Sequence, residues 1–133
     1  MRVLLVLCLS FHLLALSEID VRESLTIEAG ALSKQDKIRV ASSYRVRVTS
    51  LRRMGSSLAS KNPSCSLIHL EKLILDLDQA ESYYNALTLV GEGADLSYFY
   101  VEFMVRMWGA YREFDAILEC SEEGLRKYSD FSI

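Results

Sequence analysis

From Leu70 the apolar positions fall at Leu70, Leu73, Leu77, Ala80, Tyr84 and Leu87, alternating steps of three and four that set them on one helical stripe. The rhythm returns at Tyr100, Phe103, Met107, Ala110, Phe114 and Ile117. Between the stripes, Val90-Gly91-Glu92-Gly93-Ala94-Asp95 offers two glycines able to take left-handed angles and an aspartate able to cap the helix that follows. The pattern predicts two long antiparallel helices joined by a tight turn, one from Pro63 to Val90 and one from Leu96 to Cys120. Asn62 is suited to cap the first and Pro63 to open it. Any continuation of the second towards Tyr128 is expected to break at Gly124, with residues 129–133 frayed.

Folding the chain back between Glu92 and Gly93 makes the numbers of facing residues sum to about 185. Cys65 and Cys120 meet that condition, so the geometry that joins the stripes also brings these thiols together. A Cys65–Cys120 disulfide is expected.

Upstream, Val21, Leu25 and Ala29 share a face of a short helix over Glu18 to Gly30, with Asp20 and Glu23 as a capping pair. It is expected to lie across the other helices. After a second cap at Ser33 and Asp36, the positions Ala41, Tyr44, Val48, Leu51, Gly55 and Leu58 repeat the three-four seam and predict a third long helix. Tyr44 to Thr49 also alternates with period two and suits a strand, so residues 38–51 carry both signals. No second alternating stretch exists to pair with it, and helix is the expectation. The fold class is all-α, an antiparallel bundle of three long helices plus a short N-terminal one.

The first residues belong to a different pattern. Arg2 precedes a leucine-rich run from Val3 to Leu16, and Ala15 and Ser17 place small residues where a signal peptidase reads. A signal peptide over residues 1–17 is expected, leaving 18–133 as one helical domain in a secreted or periplasmic protein. The run is about 14 residues, short of the roughly 20 that a spanning helix needs, so no stable membrane span is expected. Cys8 leaves with the leader, and the remaining two cysteines suit an oxidising compartment.

Candidate chemistry is sparse. Past the leader His69 is the only histidine, which disfavours serine or cysteine hydrolysis. Cys65 and His69 are four apart, but two ligands on a helix do not make a four-ligand metal site, and no metal or cofactor is expected. Asp76 with Asp78, and Glu122 with Glu123, read as solvated helix faces rather than catalytic pairs. Gly91-Glu92-Gly93 lacks the further residues of a phosphate loop.

Charge changes the picture more. Residues 33–61 carry Lys34, Lys37, Arg39, Arg45, Arg47, Arg52, Arg53 and Lys61 against Asp36 alone, within a chain whose net charge is −3. These cations either satisfy acidic neighbours or form a basic surface for an acidic protein, anionic lipid or glycan, with Arg39, Arg45, Arg47, Arg52 and Arg53 as its candidates. Nucleic acid is not an expected partner of an acidic exported chain without a readable motif.

The last long helix also has a second apolar face, made of Val101, Met104, Val105, Trp108 and Tyr111. Either the N-terminal and basic segments cover it, or it forms a partner-binding groove or a pocket for an apolar small molecule. The functional expectation is non-catalytic binding to another protein, as in a secreted effector, ligand, inhibitor or immunity-type protein. The alternative is carriage of a small apolar ligand against that face.

Overall fold

The computed structural model describes residues 17–91 and 93–132, with side chains for all but 94 and 123–132. The expected leader lies outside the described residues except for Ser17. Among them the chain is all-helical, with no strand: α1 (Glu18–Ala31), α2 (Lys34–Arg45), α3 (Val48–Ala59), α4 (Pro63–Leu89) and α5 (Ala94–Ser132).

Each start has a local cause. Ser17 caps α1: its hydroxyl accepts from the Asp20 amide at 3.3 Å and donates to the Asp20 carboxylate at 2.8 Å. Asp20 is thus the partner of the cap rather than the cap itself, because a serine three residues earlier completes the reciprocal box. Ser33 caps α2 through the Asp36 amide at 3.1 Å, as its spacing predicts. Pro63 opens α4, but the side chain of Asn62 makes no cap bond. Its Nδ2 donates instead to the Cys120 carbonyl at 3.0 Å, tying the α3–α4 turn to α5. Gly93, at φ +145°, ends the α4–α5 turn in a conformation that side chains other than glycine rarely adopt.

α4 and α5 share the largest interface in the molecule. Tyr83 meets Phe99, Tyr84 meets Phe103, His69 meets Glu113 and Cys65 is bonded to Cys120, so facing numbers fall on one helix as they rise on the other. The Cys65 and Cys120 α-carbons lie 5.6 Å apart. Leu73, Leu77, Ala80 and Leu87 on α4, with Tyr100, Phe103, Met107, Ala110 and Ile117 on α5, are fully buried in this seam. α1 packs on α5 through Val21, Leu25 and Ala29, while α2 and α3 each touch both long helices.

Two expectations are corrected. The segment expected as one long helix is two helices of 12 residues, broken at Val46-Arg47. The seam survives the break: Ala41, Tyr44, Val48, Leu51 and Gly55 are buried, and Ala59 takes the place of Leu58. Second, α5 passes Gly124 and reaches Ser132, since one glycine costs a helix only about 1 kcal/mol.

Candidate functional site

The break between α2 and α3 is built from crowded side chains. Val46, Val48 and Thr49 are β-branched and lose rotamer freedom against the preceding turn, which weakens a regular helix there. Val46 (φ −63°, ψ −16°) and Arg47 (φ −88°, ψ −9°) stay right-handed, but the Arg47 amide reaches back only three residues, to the Tyr44 carbonyl at 2.9 Å. The tightened turn makes a corner. Arg45, Val46 and Arg47 are consecutively exposed there, Val46 at 71%.

Tyrosines form the floor beneath. The Arg45 guanidinium lies 5.7 Å from the centre of the Tyr84 ring, and that of Arg47 lies 5.1 Å from the Tyr44 ring. Arg47 Nη1 also donates to the Tyr111 hydroxyl at 3.0 Å. Tyr44 and Tyr111 meet edge to face, 6.3 Å between centroids, and the Ser42 and Tyr84 hydroxyls are 2.8 Å apart. Each cation–ring contact at such an exposed place contributes about 0.5–1 kcal/mol, enough to bias a long side chain towards one orientation. Burial pushes the Tyr44 hydroxyl up to about 12, against the pull of the nearby Arg47 charge. The Arg47 pKa is raised, first by its hydrogen bond to Tyr111. Both groups therefore keep their charge states across physiological pH.

The other cations have mostly been used. Lys34 donates to the Val90 carbonyl at 2.8 Å, and buried Lys37 donates to the Leu32 carbonyl at 2.6 Å, its pKa lowered by desolvation. Arg39 pairs with Asp36, and Arg52 with Asp78 at 2.8 Å. Arg53 is exposed. Among the described residues Arg45, Arg47 and Arg53 have no carboxylate within ion-pair distance, so the corner keeps its positive charge.

The second apolar face of α5 is interior. Met104 is 0% exposed and Trp108 3%; Val101 and Val105 are buried with them in one cluster that includes Val21, Leu25 and Ala29 of α1. Side chains of the protein itself fill the space against this face. Tyr111 alone of the five is half-buried, and it belongs to the corner through Arg47.

A polar seam on α5 escaped the sequence reading. Glu102, Arg106, Gly109 and Glu113 repeat the steps of four, three and four that mark the apolar stripes, yet by charge they read as a solvated face. Glu102 is buried and pairs with Arg22 of α1 and, at 3.7 Å, with Arg106. Glu113 Oε2 lies 2.6 Å from Nδ1 of His69, which is half-buried. Asp76 rests against Gly109, where an added Cβ would stand 2.8 Å from its Oδ2. Desolvation pushes the Asp76 carboxyl up to about 6, helped by Glu113 and Glu18 and opposed by Arg106 and Lys72. Among the described residues no cluster of His, Cys, Asp or Glu could hold a metal ion. A shallow groove of about 300 Å³ between α1 and α5 has the Arg22–Glu102 pair in its wall, where the opposed charges already satisfy each other.

Asp76 sets a pH dependence. Its folded pKa is raised above the unfolded value near 4, so its contribution to stability is full below about pH 4 and is lost as pH rises through about 6. Asp76→Asn is therefore expected to stabilise the protein at pH 7.5 by about 1 kcal/mol, after allowance for solvent screening. The gain should vanish by about pH 4 in thermal unfolding of both proteins. An equal or lower melting temperature for the variant at pH 7.5 would contradict the burial argument.

Comparison with protein-family models, curated proteins and solved structures finds no match for this chain. Function is read from geometry alone.

Proposed function

We propose that this is an exported protein that acts by binding another protein, presenting the Arg45-Val46-Arg47 corner of an antiparallel helical bundle to an acidic surface of its partner. The observation that carries the reading is the pair of exposed guanidiniums held over tyrosine rings on either side of an exposed valine. Arginine and tyrosine dominate binding hot spots, and cations already oriented before encounter lose less freedom on docking. Export is supported by the disulfide, which suits an oxidising compartment.

The test is affinity capture from native extracellular or periplasmic fluid, followed by titration of the captured protein against the wild type, R45A/R47A and R45K/R47K. Alanine at both positions is expected to weaken binding at least tenfold, or about 1.4 kcal/mol. Lysine should recover part of that loss, because charge returns without the planar stacking. Binding should also weaken as salt is raised. Equal affinity for all three proteins would refute the corner as the binding site.

A further inference from the structure

Gly109 lies on α5 where a carboxyl group of α4 comes down on the backbone. A Cβ at Gly109 would stand 2.8 Å from Oδ2, 3.3 Å from Cγ and 3.6 Å from Oδ1 of Asp76, so that carboxyl occupies the space a side chain would fill. Asp76 is at the middle of α4 and is half-buried, which leaves it a way out to solvent.

The seat suits a neutral group better than a charged one. Burial is the main reason that the carboxyl is pushed up to about 6; Glu113 of α5 and Glu18 of α1 push the same way, and Arg106 of α5 opposes them. These neighbours are engaged elsewhere: Arg106 with Glu102 at 3.7 Å, Glu113 with Nδ1 of His69 at 2.6 Å, and Glu18 with Arg22 at 3.8 Å. Arg112 of α5 lies over the Trp108 ring at 5.5 Å. Arg52 of α3 is held by Asp78, which is two residues on and so points about 160° away from Asp76 round α4. α2 meets α4 at Tyr84, about 12 Å further along the axis.

One charge remains for a carboxylate that leaves the seat. Lys72 is one turn before Asp76, where side chains four apart are neighbours; it is exposed, and among the described residues it forms no ion pair. A helical aspartate has two open rotamers, χ1 near 180° and near −60°, because +60° runs into the preceding turn. We propose that Asp76, Gly109 and Lys72 form a proton-operated catch: the neutral carboxyl seats on Gly109 and holds the middle of α4 against α5, and on losing its proton to water it turns outward to pair with Lys72. Glycine at 109 is what leaves room for the seat. Mild acid closes the seam, and neutral pH loosens it. The catch works within the α4–α5 hairpin and makes no use of the arginine corner or of its partner.

NMR of the full chain tests this, following the carboxyl carbon of Asp76 and its χ1 angle, from Hα–Hβ couplings, between about pH 3.5 and 8. In the wild type the carboxyl should titrate at least about one unit above the ordinary value near 4, and χ1 should change rotamer over the same interval. Gly109→Ala fills the seat with a methyl group, so Asp76 should keep the outward rotamer at every pH and titrate within about half a unit of the ordinary value. Lys72→Met removes the outer partner and should move the wild-type midpoint upward. Alanine is the better helix former and Lys72 faces solvent, so both variants should fold, as circular dichroism would confirm. The proposal is overturned by a wild-type midpoint at the ordinary value, by a single rotamer throughout the titration, by a G109A midpoint equal to that of the wild type, or by a K72M midpoint that does not rise.

Discussion

Replacing both cysteines, C65S/C120S, lowers the free energy of unfolding by about 4 kcal/mol, the chain-entropy value for a closed loop of this length. The bonded residues are 55 apart in sequence, and the bridge ties the start of α4 to α5 far from the Gly93 turn. Denaturant titration of wild type and double variant, each with and without reductant, measures the effect. The wild type should fall to the level of the variant on reduction, while the variant should ignore it. The Asn62 bond to the Cys120 carbonyl survives the substitution and keeps the start of α4 against α5, so the variant should unfold at lower denaturant, with a steeper slope because its unfolded chain, no longer cross-linked, exposes more surface. A loss under about 1 kcal/mol would mean that the unfolded chain already holds these ends near each other.

Gly55→Val costs about 3 kcal/mol, at the upper end of the overpacking range. The reason is a close helix approach: a Cβ on Gly55 would overlap Cδ2 of Leu73 and stand 3.8 Å from Phe114 and 3.9 Å from Ile117. Leu73 is fully buried, so it has no open space to swing into. Gly30→Ala is the control. A Cβ there meets nothing within 4 Å, and the better helix propensity of alanine should stabilise by up to about 1 kcal/mol. Thermal unfolding of the two variants should therefore move in opposite directions. A valine variant as stable as wild type would show that α3 can retreat from the seam at little cost.

Gly55 illustrates what the sequence could and could not convey. Its place in the three-four seam was legible, but the reason for glycine there was not, because close approach is a property of three helices at once. The α4–α5 stripes and the Cys65–Cys120 pairing were legible because the spacing of apolar residues, one short turn and two thiols are all local or related by simple counting. The break at Val46-Arg47 was present only as a conflict between two periods, and both residues kept helical angles that no composition rule separates from continuous helix. Charge partners were hidden in the same way. Arg22 and Glu102 lie 80 residues apart, and only the docking of α1 on α5 brings them together. The corner stands between these cases: its arginines were candidates from charge alone and Tyr44 is their neighbour in sequence, whereas Tyr84 and Tyr111 come from two other helices.

The joining of α4 and α5 at two distant points has a mechanical consequence. A Gly93 turn at one extremity and a covalent bridge between the start of α4 and Cys120 of α5 prevent the paired lengths of these rods from sliding lengthwise or fanning apart. They behave as a fixed spar. Compliance on contact with another molecule is left to α1, α2 and α3, which are moored to that spar by packing and a few ion pairs and hydrogen bonds. The arginine corner joins two of those parts and is braced from below by Tyr84 and Tyr111, which are rooted in the spar.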